Sequence, residues 1–216
     1  MTQASARLLS NTILTIAIAL SITTCLRQRS APTEVPAPAR TANTPNILLI
    51  IADDLGQDAF PAYGVGAEQP EMPSLARLAR GGIRFTNFWT YPTCTPTRAS
   101  IITGKHAFRT NVRKVDDELS RSETILQKFI DQKTSRRYKS AVIGKWHLSK
   151  DAAHPNAMGL EHYAGLLSGG ARDYSAWQLT ENGKPRRSQE YITTKFTDLA
   201  AEWINAQEQP WFLWLA

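Results

Sequence analysis

The chain has 216 residues, 42% apolar and 20% charged, which is enough apolar material for one good core and too much for disorder throughout. Twelve Gly and twelve Pro without a period exclude collagen-like and low-complexity character. Twenty-five basic against nineteen acidic side chains give a net charge of +6; half of that excess lies in residues 1–46, and the mild remainder gives no reason to propose nucleic acid as a partner.

The N-terminus reads as an address. Arg7 precedes an apolar run, Ile13 to Ile22, and a basic start followed by such a run is signal-peptide grammar. The run is too short and too dotted with Thr and Ser for a comfortable membrane span. Cys25 just after it resembles the lipidation site of a bacterial lipoprotein, with simple cleavage or an uncleaved anchor as the alternative. Residues 1–25 are therefore expected to be a signal peptide of lipoprotein type. That implies an exported protein of the periplasm or cell envelope, with membrane anchoring through lipidated Cys25. Residues 26–45 hold four Pro and almost no large apolar side chain, and read as a flexible linker. Cys25 and Cys94 make a poor disulfide pair.

Residues 46–216 alternate strand and helix signals. Asn46 to Ala52 is an Ile-rich run suited to a strand buried on both faces of a parallel sheet, and it stops at Asp53-Asp54. A helix is predicted from Pro73 to Arg80, ended by Gly81-Gly82. Ile83 to Trp89 alternates and reads as a strand. Cys94-Thr-Pro-Thr-Arg98 opens a helix that runs to Gly104. Ser120 and Glu123 have capping-box spacing ahead of an amphipathic helix over 125–130. Tyr138 to Ile143 is a further strand, followed by Gly144-Lys-Trp-His-Leu148. Residues 190–206 form an amphipathic helix, and Trp211 to Ala216 is an apolar strand. The pattern predicts an α/β fold with a largely parallel central sheet and helices on both faces. In such sheets ligands gather outside the carboxyl ends of the strands.

Three clusters can carry chemistry. Asp53-Asp54 suits a hard cation with oxygen ligands, or is a solvated turn. Cys94 sits where free helix N–H groups favour a thiolate or an oxyanion, with Arg98 one turn on, or is a small buried Cys beside a helix-start Pro. Lys145 and His147 are two apart, so in an extended segment they face the same way. Together they can bind an anion and move a proton, or they are an exposed Lys and an incidental His. Lys105 and His106 are less informative, and His154 and His162 read as structural or solvated.

The combination resembles the sulfatase family. Pro92-Thr-Cys-Thr-Pro-Thr-Arg-Ala-Ser-Ile-Ile-Thr-Gly104 is similar to the signature in which Cys-x-Pro-x-Arg is converted to formylglycine at the Cys. Pro45-Asn-Ile-Leu-Leu-Ile-Ile-Ala-Asp-Asp-Leu-Gly56 resembles the opening strand and metal pair, and Gly144-Lys-Trp-His-Leu148 the second signature. Pro210 to Ala216 is similar to the strand before the next catalytic His. Thr97 stands where the family usually has Ser, and Met72-Pro-Ser-Leu-Ala departs mildly from its usual Thr-Pro-Asn-Leu-Asp. The resemblance implies an alkaline-phosphatase/sulfatase-like fold over residues 45–216 and hydrolysis of sulfate esters, arylsulfatase-like. It implies formylglycine at position 94, whose hydrate attacks the sulfur with one hydroxyl and expels sulfate with the other. It makes Cys94, Arg98, Lys145 and His147 catalytic. Asp53, Asp54 and position 94 would hold a divalent cation, usually Ca²⁺, with Mg²⁺ or another divalent ion as the alternative. Arg98 would hold the hydrate, Lys145 a sulfate oxygen, and His147 would hydrogen-bond the hydrate and assist its collapse. A formylglycine-generating maturation enzyme becomes a partner alongside the sulfate ester.

The family's site also takes another His, an Asp-Asn or Asp-Gln pair and another Lys, all beyond the strand ending at residue 216. The sequence thus reads as the N-terminal part of the catalytic domain, its sheet incomplete. The 216 residues alone are expected to be poorly stable and nearly inactive. A phosphonate or phosphate monoester hydrolase of the same superfamily, and a truncated non-catalytic product, are the alternatives.

Overall fold

The computed structural model describes residues 44–216. The expected signal peptide, Cys25 and most of the linker lie outside the described residues. Six strands form one open sheet: β1 (Ile47–Ile50), β2 (Lys139–Lys145), β3 (His162–Leu166), β4 (Trp177–Glu181), β5 (Lys184–Ser188) and β6 (Trp211–Leu215). The order is β1-β6-β2-β3-β4-β5. The pairings from β1 through β6 and β2 to β3 are parallel, and those of β4 with β3 and β5 are antiparallel. The sheet is therefore mixed, with the parallel half at the β1 side. Six α-helices accompany it: α1 (Pro73–Gly81), α2 (Cys94–Thr103), α3 (Ala107–Thr110), α4 (Leu126–Lys133), α5 (His154–Ala157) and α6 (Ile192–Asn205).

Alternation along the central strands divides the core. Val142 and Trp214 face one side, where they pack with Ala99 and Ile102 of α2, Ile125, Trp146 and Tyr163. Ala141, Ile143 and Leu213 face the other, under Phe196, Leu199, Ala200 and Trp203 of α6. Helices thus cover both faces, as the period-2 pattern of the strands requires.

Four expectations are corrected. β1 is not buried on both faces: Leu48 is 46% and Ile50 52% exposed, because β1 is an edge strand and α6 lies over β2, β3 and β6. Ile83 to Trp89 is not a strand; it bends, and Ile83, Phe85, Phe88 and Trp89 are exposed. Its alternation supplies β-propensity, but a strand needs a ladder partner, and this segment joins neither edge of the sheet. Ser120 caps no helix: its carbonyl accepts the Glu123 N–H in a turn, α4 starts at Leu126, and Glu123 pairs with Lys105. Lys145 and His147 are not in one extended run, because His147 has φ +54° and breaks it.

Of the two readings of His154, structural or solvated, the structure supports the first. It is fully buried at the start of α5, accepting the Trp146 Nε1–H at Nδ1 (3.2 Å) and donating Nε2–H to the Leu119 carbonyl (2.8 Å). That pattern needs a neutral ring, and burial lowers its pKa from the ordinary 6.5. The unfolded chain protonates this ring more readily, so unfolding takes up a proton. Stability is therefore expected to fall as pH drops below 6.5 toward the lowered folded value. Thermal unfolding from about pH 7.5 to 5 checks this: the drop in Tm is shallower in His154→Gln, and an equally steep drop refutes the assignment.

Candidate active site

The carboxyl ends of β1 and β2 open toward the start of α2. The Ile-rich β1 delivers Asp53 and Asp54, β2 delivers Lys145, and Pro96 in the first turn of α2 helps to start the helix at Cys94. Gly104 in the left-handed region ends α2. Gly144, at φ +107°, lets Ala216 close beside β2: an added Cβ would lie 1.8 Å from the Ala216 oxygen. A cleft of about 480 Å³ results, lined among others by Asp53, Asp54, Cys94, Thr97 and Arg98.

Arg98 is 2% exposed. Its Nη1 donates to the Lys145 carbonyl at 2.5 Å, and Nη2 lies 3.6 Å from Asp53 Oδ1, a charge contact too long for a hydrogen bond. Nη2 has no hydrogen-bond acceptor among the described residues. Burial lowers the Arg98 pKa, and the Asp53 charge opposes that. The ammonium of Lys145 donates to Asp53 Oδ2 at 2.5 Å. Asp53 thus receives charge from two cations on two elements, while Asp54, in the left-handed region at φ +55°, lines the same cleft.

Cys94 is a free, partly buried thiol. Its Sγ lies 3.2 Å from His147 Nδ1. The opposite nitrogen, Nε2, lies 2.9 Å from Asp116 Oδ1, and Lys150 Nζ donates to Asp116 Oδ2 at 3.0 Å. Burial lowers the His147 pKa against the raising effect of Asp116. The Lys150 and His147 hydrogen bonds hold the Asp116 carboxyl below its usual range. Cys94 and Arg98 therefore line one cleft with Asp53 and Asp54, and Lys145 joins them through Asp53 and His147 through Cys94. Asp116, on the 112–119 loop, was not expected; nothing in its spacing marks it. Gly169 was also missed: a Cβ there would lie 2.6 Å from His147 Cε1, so this glycine leaves the ring its place.

Asp53 and Asp54 are hard oxygen donors of the kind Ca²⁺ and Mg²⁺ take. Among the described residues no group of three or more His, Cys, Asp or Glu gathers to hold a metal ion. The donors fit such a cation in kind and would supply part of its shell.

The family model described as Sulfatase matches residues 45–216. The chain belongs to the sulfatase family. Human arylsulfatase D is 32% identical over 148 residues, covering 59% of this chain and 24% of that protein. Mouse arylsulfatase G is 36% identical over 132 residues, covering 58% and 24%. Mouse steryl-sulfatase is 33% identical over 158 residues, covering 64% and 24%. The chain spans about a quarter of the length of these relatives. Among solved structures, one described as a complex with its substrate D-glucosamine-2-N,6-O-disulfate superposes with a TM-score of 0.67 at 28% identity, over 79% of this chain and 33% of the other. A second, described as a complex with a neocarrahexaose, gives 0.69 at 25% identity, over 80% and 44%. The α/β architecture of the sulfatases is thus the architecture of this chain.

The packing of Gly169 on the His147 ring sets a prediction. Gly169→Ala is expected to push the ring off Cys94, and a crystal structure of the variant reads this directly. Retention of the 3.2 Å contact would show that the glycine is incidental.

Proposed function

We propose that this sulfatase-family protein hydrolyses sulfate esters, arylsulfatase-like, with Cys94 as the precursor of its nucleophile. The observation that carries the reading is the placement of Cys94 at the start of α2, 3.2 Å from His147, in a cleft that Asp53 and Arg98 also line, with the Lys145 ammonium held on Asp53. Formylglycine at position 94 would supply the hydroxyls that take up and release the sulfo group, and a divalent cation, Ca²⁺ by preference, would supply charge against the sulfate.

The chain's own residues do the rest. Asp53 and Asp54 would hold the cation. Arg98 keeps Nη2 for an acceptor oxygen at position 94, since Nη1 is committed to the Lys145 carbonyl. Lys145 places its ammonium on a sulfate oxygen. His147 presents Nδ1 to position 94, where it accepts a hydroxyl proton as sulfate leaves. One thiol offers no second hydroxyl, so activity depends on a maturation enzyme acting on Cys94. Export to the periplasm or cell envelope, with lipid on Cys25, belongs to the same proposal.

Mass spectrometry of the tryptic peptide Phe85–Arg98 tests maturation: the peptide is expected to be lighter by about 18 Da, as conversion of Cys to an aldehyde requires. The matured protein should hydrolyse an aryl sulfate, and Cys94→Ala should abolish the activity. An intact thiol, or a preference for phosphonate esters over sulfate esters, refutes the reading. A second expectation concerns the 216 residues by themselves. Two carboxylates leave most of the six to eight places of Ca²⁺ unfilled, so this chain alone is expected to turn over almost no aryl sulfate. Full turnover by it would show that no further ligand is needed.

A further inference from the structure

We propose that Asp116 is a positioning residue of this site: it holds the His147 ring so that Nδ1, and not Nε2, faces the reactive atom at position 94. The proposal rests on the sulfatase reading for its consequence in turnover and on geometry for its substance.

The geometry is a row of contacts. Lys150 Nζ donates to Asp116 Oδ2 at 3.0 Å, Asp116 Oδ1 meets His147 Nε2 at 2.9 Å, and His147 Nδ1 meets Cys94 Sγ at 3.2 Å. A carboxylate can only accept, so Nε2 carries the hydrogen in this contact. In the neutral ring the lone pair then sits on Nδ1, pointed at position 94. Without the carboxylate, either nitrogen can carry the hydrogen, and the ring can turn about its last bond.

The 112–119 loop is built to hold Asp116 there. The Asp116 backbone is in the left-handed region at φ +67°, and so is that of His147 at φ +54°. Asp tolerates this region better than most side chains, and His147 is the residue that needs outside support. The Asp116 N–H donates to Thr95 Oγ1 at 3.3 Å, one residue from Cys94. Asp117 accepts the Arg113 and Lys114 N–H groups at 2.8 and 3.0 Å, closing the loop on itself. The Leu119 N–H donates to the Leu148 carbonyl at 2.9 Å, and the Ser149 hydroxyl to Glu118 at 2.8 Å. His154 donates to the Leu119 carbonyl. The loop bearing Asp116 is thus bound to the loop bearing His147 through Glu118 and Leu119 on one and Leu148 and Ser149 on the other. Gly169 leaves the ring its place, since a Cβ there would lie 2.6 Å from Cε1 and 2.8 Å from Nε2.

The consequence for turnover follows from proton accounting. As sulfate leaves, the O–H bond of the remaining hydroxyl breaks and its proton goes to Nδ1. The electron pair of that bond forms the carbonyl, and the pair of the breaking C–O bond departs with sulfate. The imidazolium so formed is faced by the Asp116 carboxylate, which needs no rearrangement to stabilise it.

Two readouts test this with the full chain. In unmatured protein labelled at the histidine ring nitrogens, His147, assigned by its loss in His147→Gln, is expected to show a hydrogen on Nε2 alone. Asp116→Ala is expected to show a mixture of tautomers. In the complete, matured protein at equal formylglycine content, Asp116→Ala should lower kcat on the order of ten- to a hundredfold with KM nearly unchanged. Asp116→Asn keeps the shape but has one acceptor oxygen; with that oxygen on Lys150 its amide N–H faces Nε2, so it should move the hydrogen to Nδ1 and lose at least as much. The proposal is overturned by a hydrogen on Nδ1 in the parent protein, by an unchanged kcat in Asp116→Ala, or by a change in KM alone, which would make Asp116 a substrate contact. Should the parent protein hydrolyse no sulfate ester, the sulfatase reading fails, and the ring-nitrogen measurement still decides the positioning role.

Discussion

A guanidinium shut away from water is the constraint around which this site is arranged. Arg98 is 2% exposed, and a charge so placed is tolerated only where other groups compensate the lost hydration. The compensation comes from two strands. β2 supplies the Lys145 carbonyl and β1 leads to the Asp53 carboxylate. β6 lies between them, so their carboxyl ends are about 10 Å apart at ordinary strand spacing. The long Arg and Lys side chains bridge that gap and converge on Asp53. Parallel order puts both strand ends on the same rim, and α2, which carries Arg98, must lie against that rim for the charge to be met. The position of Cys94 follows, one turn ahead of Arg98 on the same helix.

Left-handed backbone recurs beside this site. Asp54, Asp116 and His147 are three of the non-glycine residues with positive φ, and all three border the cleft or the row of contacts leading from it. Left-handed backbone is unfavourable for such residues unless the surroundings fix it. The loops of 112–119 and 146–150 fix one another through Leu119, Leu148, Glu118 and Ser149, and the buried His154 ties Trp146 to Leu119. The aromatic packing of Trp146 on Tyr163 joins this frame to the core. The structural histidine and the site histidine are therefore supported by one interlocked pair of loops.

Much of this was legible in the residues. The apolar runs of β2 and β6, the helix opening at Cys94 and closing at Gly104, and α6 all follow from period, Pro and Gly placement. Cys94, Arg98, Lys145 and His147 were marked by type and spacing, and they do meet. The β4–β5 hairpin was missed although Asn182-Gly183 between Glu181 and Lys184 is the turn that joins such strands; both have positive φ, and the flanking residues pair. The strand content of β5, Lys184–Ser188, is hidden because its residues are mostly polar and exposed. Ile83 to Trp89 failed in the opposite way, with strand-like side chains and no edge to join. Asp116 had no local signal at all. Its role is created by a loop folding back over 31 residues of sequence to meet His147, and no periodicity reports a meeting of that kind.

The two cations on Asp53 differ in what they can do. Arg98 is pinned by its carbonyl contact and by near-total burial, and its planar fork has little freedom to turn elsewhere. Lys145 is buried too, but its ammonium is a single point on a flexible stem, held by the contact to Asp53 at 2.5 Å. An anion entering the cleft offers Lys145 a second partner within reach of the same stem, whereas Arg98 has no such latitude. Of the pair, Arg98 is the fixed member that keeps β1, β2 and α2 in register with one another. In the proposed reaction Lys145 is the member that would exchange the Asp53 carboxylate for a sulfate oxygen. That asymmetry gives a chemical reason for one position to carry arginine and the other lysine.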